Sequence, residues 1–330
     1  MFLPCKFIPG PMVEVTTPAL RSIMREFSPE VILYSEMLSA AAVSTGAQHN
    51  TPMMKKHPHD DPIIYQILGN DPALMAEACS ILCGNGCYGI DINMGCSAPD
   101  IMKKKQGACL LNDHGRAREI VLACRAATPG NLSVKMRTGF DSYNDQESVA
   151  FARMLEDCGI DFLVVHPRYA KLGFSRTARW SIVAEIKKSL SIPVIGNGDI
   201  TTPEIALKRL AETGSDAVML ARRTVQEPWI IQLCNDLLSG NKIERTIKLD
   251  DVFIRVLEKT GDLLPSELHA SRALRFAFYY CNNLVFGHSL YTMLRKCPTI
   301  AQMIALVHQY FHRNPGETVR FYRGGMPVIS

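Results

Sequence analysis

The residues best equipped for chemistry lie at the ends of short apolar runs. Asp91-Ile92-Asn93-Met94-Gly95-Cys96-Ser97 carries a cysteine on a turn beyond such a run. A thiol placed there can act as nucleophile or proton donor, or do nothing. Two further runs end in Lys135 with Arg137 and in His166 with Arg168. A cation beside an electron-accepting ring stabilises the negative charge that the ring gains on reduction. Taken singly, Lys135 reads equally well as an ion-pair partner and His166 as a core histidine. Another run ends in Gly196-Asn197-Gly198-Asp199 and the next in Ala221-Arg222-Arg223. Small residues let backbone N–H groups approach an anion, and the arginines add charge, so a phosphorylated ligand fits there. FMN has both the phosphate and the ring.

These residues need a scaffold that brings strand ends together. Apolar, β-branched runs occur at 5–8, 31–34, 63–68, 89–92, 132–136, 162–165, 193–195 and 217–220. Amphipathic segments of helical spacing separate them, among them 73–82, 116–126, 146–158, 180–190 and 203–213. Crossover helices imply a parallel sheet, and eight such units in about 225 residues point to an α/β fold of the TIM (β/α)8 type. The first turn, Pro9-Gly10-Pro11-Met12, lacks the glycine-rich dinucleotide fingerprint. In a barrel the site gathers the residues just past each strand: Pro11 and Met12, Glu36, Gln66, Asn93 with Cys96, and the polar groups above.

After Trp229 the pattern reads as helices only, at 229–238, 249–264, 267–284 and 300–311. The expected division is a catalytic barrel over 1–240 and a small C-terminal helical domain over 241–330. The tail Arg320-Phe321-Tyr322-Arg323-Gly324-Gly325 receives no element. Of the 330 residues, 47% are hydrophobic and 21% charged, with a net charge of +4. Residues 241–330 hold 12 Lys and Arg against 7 Asp and Glu, a surplus of +5 that leaves −1 for the rest. That asymmetry hints at a polyanionic partner, as does Lys103-Lys104-Lys105 behind the cysteine turn. Arg272 and Arg275, three apart, are candidate phosphate contacts if their helix turns them outward. No apolar run approaches the length of a membrane span and the start lacks a signal-peptide pattern, so a cytoplasmic protein is expected. Eleven cysteines scattered through apolar segments read as reduced core residues. The four-residue spacing of Cys79, Cys83 and Cys87 suits a helix face better than a metal site, and His57, His59, Asp60 and Asp61 suit a polar loop. No metal is expected.

Across nearly its full length the chain resembles the tRNA-dihydrouridine synthase family. The resemblance is carried by Pro11-Met12-Val13-Glu14, Ser35-Glu36-Met37, Gln66-Ile67-Leu68-Gly69 and, most specifically, the cysteine motif with Gly107-Ala108-Cys109-Leu110-Leu111 behind it. Val134-Lys135-Met136-Arg137-Thr138-Gly139, His166 with Arg168, Asn197-Gly198-Asp199 and Glu227-Pro228-Trp229 come after it in order. It implies a flavin-dependent oxidoreductase in which NADPH reduces FMN and a hydride passes to the 5,6 double bond of a flipped-out uracil, with Cys96 protonating the other carbon. By the same carry-over Pro11, Met12, Val13, Gln66, Lys135, His166, Asn197, Gly198, Asp199, Ala221 and Arg222 would hold FMN. Asn93, Arg137 and Arg168 would hold the uracil, and the helical domain would grip tRNA; no obligate protein partner is implied. The chain departs from the family at Glu14, Ser97, Lys105, Pro167, Ala221 and Arg223. Side chains at 221 and 223 would crowd a phosphate if either position needed a positive φ. Two other readings fit the same residues: a related reductase acting on ribosomal RNA or a free pyrimidine, and an RNA-binding barrel without catalysis.

Overall fold

Eight short strands lie parallel: β1 (Phe7–Pro9), β2 (Leu33–Ser39), β3 (Ile63–Leu68), β4 (Gly89–Met94), β5 (Asn131–Arg137), β6 (Phe162–His166), β7 (Val194–Asn197) and β8 (Ala217–Leu220). The computed structural model describes residues 5–46, 51–172, 177–323 and 326–328. Each strand from β2 to β8 pairs with its sequence neighbour and β1 pairs with β8, Phe7 opposite Val218. β1 also lies against β2, which closes the sheet. The period-two alternation of the strands sorts their side chains. Ile8, Tyr34, Ile64, Phe162, Val164, Ile195 and Met219 fill the barrel interior, while Phe7, Leu33, Ile63, Tyr65, Leu163, Val194 and Val218 face the surrounding helices.

The helices begin where a side chain can accept an orphan backbone N–H. Thr17 caps Pro18–Phe27, Asp71 caps Pro72–Gly84, Asp113 caps His114–Ala127, Asn144 caps Asp145–Asp157 and Thr202 caps Pro203–Thr213. Proline at the first turn of three of these loses no hydrogen bond. The strands run further than their apolar runs. β4 extends to Met94, β5 to Arg137, β6 to His166 and β7 to Asn197. Asn93, Arg137, His166 and Asn197 therefore belong to the ladder itself and are more rigidly held than loop residues.

The C-terminal part differs from its expected all-helical character. Helices Leu249–Leu263, Ser266–Tyr280 and Ile300–Arg313 occur as expected, and Gly287–Leu294 is added. Strand β9 (Glu244–Lys248) pairs antiparallel with β10 (Val319–Arg323), which pairs with β11 (Met326–Val328). Five residues of β9 bury only Ile247, too weak an alternation to stand out. The tail is tied down by tertiary contacts: Tyr322 donates to Glu227 Oε1 at 3.0 Å and accepts from Trp229 Nε1 at 3.0 Å, and Arg320 Nη1 donates to Glu227 Oε1 at 3.2 Å. Gly324 and Gly325 lie outside the described residues.

One buried ion pair fixes the first barrel helix. Arg21 Nε and Nη2 donate to Asp60 Oδ1 and Oδ2 at 2.7 and 2.9 Å, with the side chains 1% and 0% exposed. Arg21→Met leaves a buried carboxylate uncompensated, so the unfolding free energy in urea is expected to fall by about 3–5 kcal/mol. Glu119→Ala, which breaks the exposed pair with Arg116, should cost under about 1 kcal/mol. Equal losses would mean that the Arg21–Asp60 site is open to water.

Candidate active site

The C-terminal ends of the strands surround a cavity of about 570 Å³, within the usual range for a small-molecule site. Pro11 and Met12 follow β1, Gln66 stands on β3, Asn93 and Cys96 come from β4 and its turn, and Lys135 and Arg137 from β5. His166 and Arg168 come from β6, Asn197, Gly198 and Asp199 from β7, and Ala221 and Arg222 follow β8. Of the residues expected at the mouth, two are not among the lining: Val13 sits in the turn after β1, 49% exposed, and Glu36 is buried, its Oε2 taken by the N–H of Glu14 at 2.6 Å. Phe278, Tyr279 and Asn282, from the C-terminal helices, complete the wall. Nothing in local spacing ties them to the barrel mouth, because only tertiary packing brings them there.

The cysteine turn is held by a polarised chain of hydrogen bonds. Gly95 N and Cys96 N donate to Asn93 Oδ1 at 3.0 and 2.8 Å. Asn93 Nδ2 donates to Gln66 Oε1 at 2.9 Å, and Gln66 Nε2 to Asp91 Oδ2 at 2.7 Å. Ser133 Oγ donates to Asp91 Oδ1 at 2.6 Å. Backbone donors at one end and a carboxylate at the other assign both amide orientations, since reversing either amide would set two acceptors or two donors together. Asn93, whose Oδ1 already takes two N–H groups, therefore meets a ligand only as a donor, while Gln66 keeps one N–H and one lone pair of Oε1. Gly107 closes the turn from behind: its φ is +61°, and a Cβ there would meet the Cys96 carbonyl oxygen at 2.5 Å. Without one, Ala108 N donates to Cys96 O at 2.9 Å. Arg137 Nε braces the same turn through Gly95 O at 2.9 Å.

Charge is concentrated on the other walls. Burial lowers the Lys135 amine to about 8, against the opposing pull of Asp91 and with a further push from Arg137. Burial likewise raises the fully buried Asp91 carboxyl to about 6, Ser133 and Gln66 working against the rise. At neutral pH the pair is predominantly ionised. Burial, then Lys135, Arg137, Arg168 and Arg222, hold His166 well below its ordinary value, so the imidazole is neutral. Arg168 Nη1 lies 3.1 Å from His166 Nε2. An arginine only donates, so Nε2 is the acceptor and Nδ1 carries the proton.

Arg168 is 3% exposed and its Nη2 donates to both oxygens of Asp199 at 2.8 and 2.6 Å. The geometry thus makes Arg168 a brace for His166 and Asp199. Asp199 has φ +52° and Gly198 φ +130°. A Cβ on Gly198 would stand 3.1 Å from the His166 ring and 3.2 Å from Ala178, so the backbone can face an anion there only as glycine. Arg222, 55% exposed, stands 3.8 Å from Asp199.

Four of the departures from the family pattern, Ala221, Arg223, Glu14 and Lys105, are defined by their backbone or side-chain setting. Ala221 has φ −104° and Arg223 lies within the helix Arg222–Gln226, so neither takes a positive φ, and Arg223 turns its guanidinium to Glu227 at 2.7 Å. Glu14 does adopt φ +62° and Lys105 φ +53°. At Glu14 the strain is offset by a latch: its carboxylate takes Arg275 Nε at 2.8 Å and Arg272 Nη1 at 3.2 Å, and its N–H donates to Glu36 Oε2 at 2.6 Å. Arg272 and Arg275 are thus turned to the barrel, against the expectation of free phosphate contacts. Arg255 with Glu26, Arg245 with Asp236 and Arg320 with Glu227 make further pairs of this kind. Part of the C-terminal positive surplus holds the two parts of the chain together.

The family model described as dihydrouridine synthase (Dus) matches residues 8–304. A probable tRNA-dihydrouridine synthase 1 of Synechocystis sp. is 35% identical over 226 residues, covering 68% of this chain and 63% of that protein. A tRNA-dihydrouridine synthase B of Pseudomonas aeruginosa is 30% identical over 94% of this chain and 93% of its own, and that of Shewanella oneidensis 34% over 93% and 95%. Among solved structures, a 2-naphthoyl-CoA reductase complex superposes with TM-score 0.54 at 14% identity, covering 72% of this chain and 50% of that one. Histamine dehydrogenase from Rhizobium sp. 4-9 gives 0.53 at 14%, covering 76% and 48%. These two share the fold alone. The matched sequence over 8–304 makes the chain a member of the dihydrouridine synthase family.

Proposed function

We propose that this chain is a flavin-dependent oxidoreductase that reduces a uridine of tRNA to 5,6-dihydrouridine, with FMN as the flavin and NADPH as the reductant. The observation that carries the reading is the meeting, in one cavity, of a glycine turn beside an arginine, a half-buried lysine and the clamped turn of Cys96. These residues fit FMN. Backbone groups at Gly198 and Asp199 with Arg222 would hold its phosphate. Pro11, Met12, Gln66, Lys135, His166, Asn197 and Ala221 would surround its ring, Gln66 and neutral His166 donating to acceptor atoms; Val13 lies outside this set. Bound there, FMN would supply the hydride for one carbon of the uracil double bond.

The protein's part is to place the base and deliver the matching proton. Hydride addition leaves an electron pair on the second carbon of the former double bond, spread onto the adjoining carbonyl. Cys96 Sγ gives its proton to that carbon, and solvent reprotonates the thiolate. Asn93 offers its remaining N–H to a uracil carbonyl, Arg137 keeps the turn in place, and the ammonium of Lys135 stabilises the negative charge as it develops. Residues 241–330 hold the RNA against the mouth, to whose wall they add Phe278, Tyr279 and Asn282; no helix of the described residues is long and apolar enough to cross a membrane.

Three outcomes are expected. Purified protein should release FMN and not FAD on denaturation; a preparation that stays colourless and does not bind FMN on titration removes the flavin. Cys96→Ala should keep flavin and its reduction by NADPH while slowing dihydrouridine formation on the order of a hundredfold; parallel loss of flavin would make the residue structural. Activity should fall as pH rises through about 8, where Lys135 loses its proton. Asp91→Asn removes the charge that raises the Lys135 value, so this alkaline limb should move to lower pH in a kcat/KM profile. An unmoved limb would assign it to another group.

A further inference from the structure

We propose that Phe278, Tyr279 and Tyr291 form a stacking track at the cavity rim for an unpaired nucleotide next to the reduced uridine, so that the preferred substrate presents consecutive unpaired nucleotides. The inference rests on the RNA-reducing function above and specifies its substrate. Helix Ser266–Tyr280 packs through Ala273, Phe276, Ala277 and Tyr280, a complete buried stripe that does not need Phe278. Phe278 is 54% exposed and lines the cavity with Tyr279. Its ring centroid lies 5.1 Å from Tyr279 and 5.7 Å from Tyr291, each edge-on. One turn past Tyr291, Arg295 ends helix Gly287–Leu294, its N–H bonded to Tyr291 O at 3.1 Å, and Lys296 comes next. Both are exposed and, unlike Arg272 and Arg275, neither has an ion pair among the described residues.

The rim is thus continuous with the cavity on one side and with uncommitted cations on the other. Four of the eight exposed large apolar side chains among the described residues, Phe278, Val285, Phe286 and Met293, fall between 278 and 293. All four belong to the segment that carries the rim. Rings beside cations suit unpaired nucleic acid: base faces stack on the rings and phosphates meet the charges. A paired neighbour keeps its base in the helix, where it cannot reach Phe278.

The test uses full-length, flavin-loaded protein and tRNA carrying 2-aminopurine beside the uridine that wild type reduces. Wild type is expected to change the fluorescence of the probe on binding, and Phe278→Ala to abolish that change and raise KM for tRNA about tenfold, the loss of one stacking contact. Phe278→Trp should restore both. A hairpin with the uridine in an open loop should be reduced at least tenfold faster than one in which the same uridine is a single bulge between pairs. Unchanged KM and probe signal in Phe278→Ala, or equal rates on the two hairpins, would overturn the track. Failure of wild type to reduce any RNA overturns the underlying function, an outcome distinct from a failure confined to the track.

Discussion

The structure depends on a charge imbalance at the mouth of the barrel. Lys135, Arg137, Arg168 and Arg222 converge on one cavity, whereas Asp199 is the sole carboxylate among its described lining residues and Asp91 lies beneath it. In a poorly solvated site such an excess of cations is costly until an anion joins it. The protein limits the cost by keeping His166 neutral, by pairing Arg168 with Asp199 and by placing a buried carboxylate near Lys135. The remaining positive charge is what a phosphate and a reduced ring would complement.

The same buried carboxylate also organises the cysteine turn. Asp91 ends the chain of amides that runs through Gln66 and Asn93 to the N–H groups of Gly95 and Cys96. One side chain therefore influences both the proton held by Lys135 and the position of the thiol. Gly107 belongs to this unit, since any larger residue would push the Cys96 carbonyl away. Acid, cation and turn are one mechanical and electrostatic assembly on β3, β4 and β5.

Much of this was legible in the sequence because a barrel converts strand ends into a site. Eight runs in this order require Cys96, Lys135, His166 and Gly198 to face one mouth, and the cavity collects them. The strand ends were less legible. β5, β6 and β7 carry their ladders into polar residues that apolar runs exclude. Arg168 read as a ligand contact because its partner, Asp199, is 31 positions away and only the ladder brings the two together. Arg272 and Arg275 read as RNA contacts for the same reason, since Glu14 is supplied by the opposite end of the chain. The three-stranded sheet was hidden because β9 and β10 are separated by four helices and are held by Glu227 and Trp229 instead of by their own pattern.

The central claim is that the cavity reduces uridine within RNA. It is tested most directly by incubating the purified protein and NADPH with unmodified tRNA and analysing the digested nucleosides by mass spectrometry. The account requires one or more uridines to gain two hydrogens and appear as dihydrouridine, with free uridine and uracil left untouched under the same conditions. Reduction of the free pyrimidine while tRNA stays unmodified would contradict it.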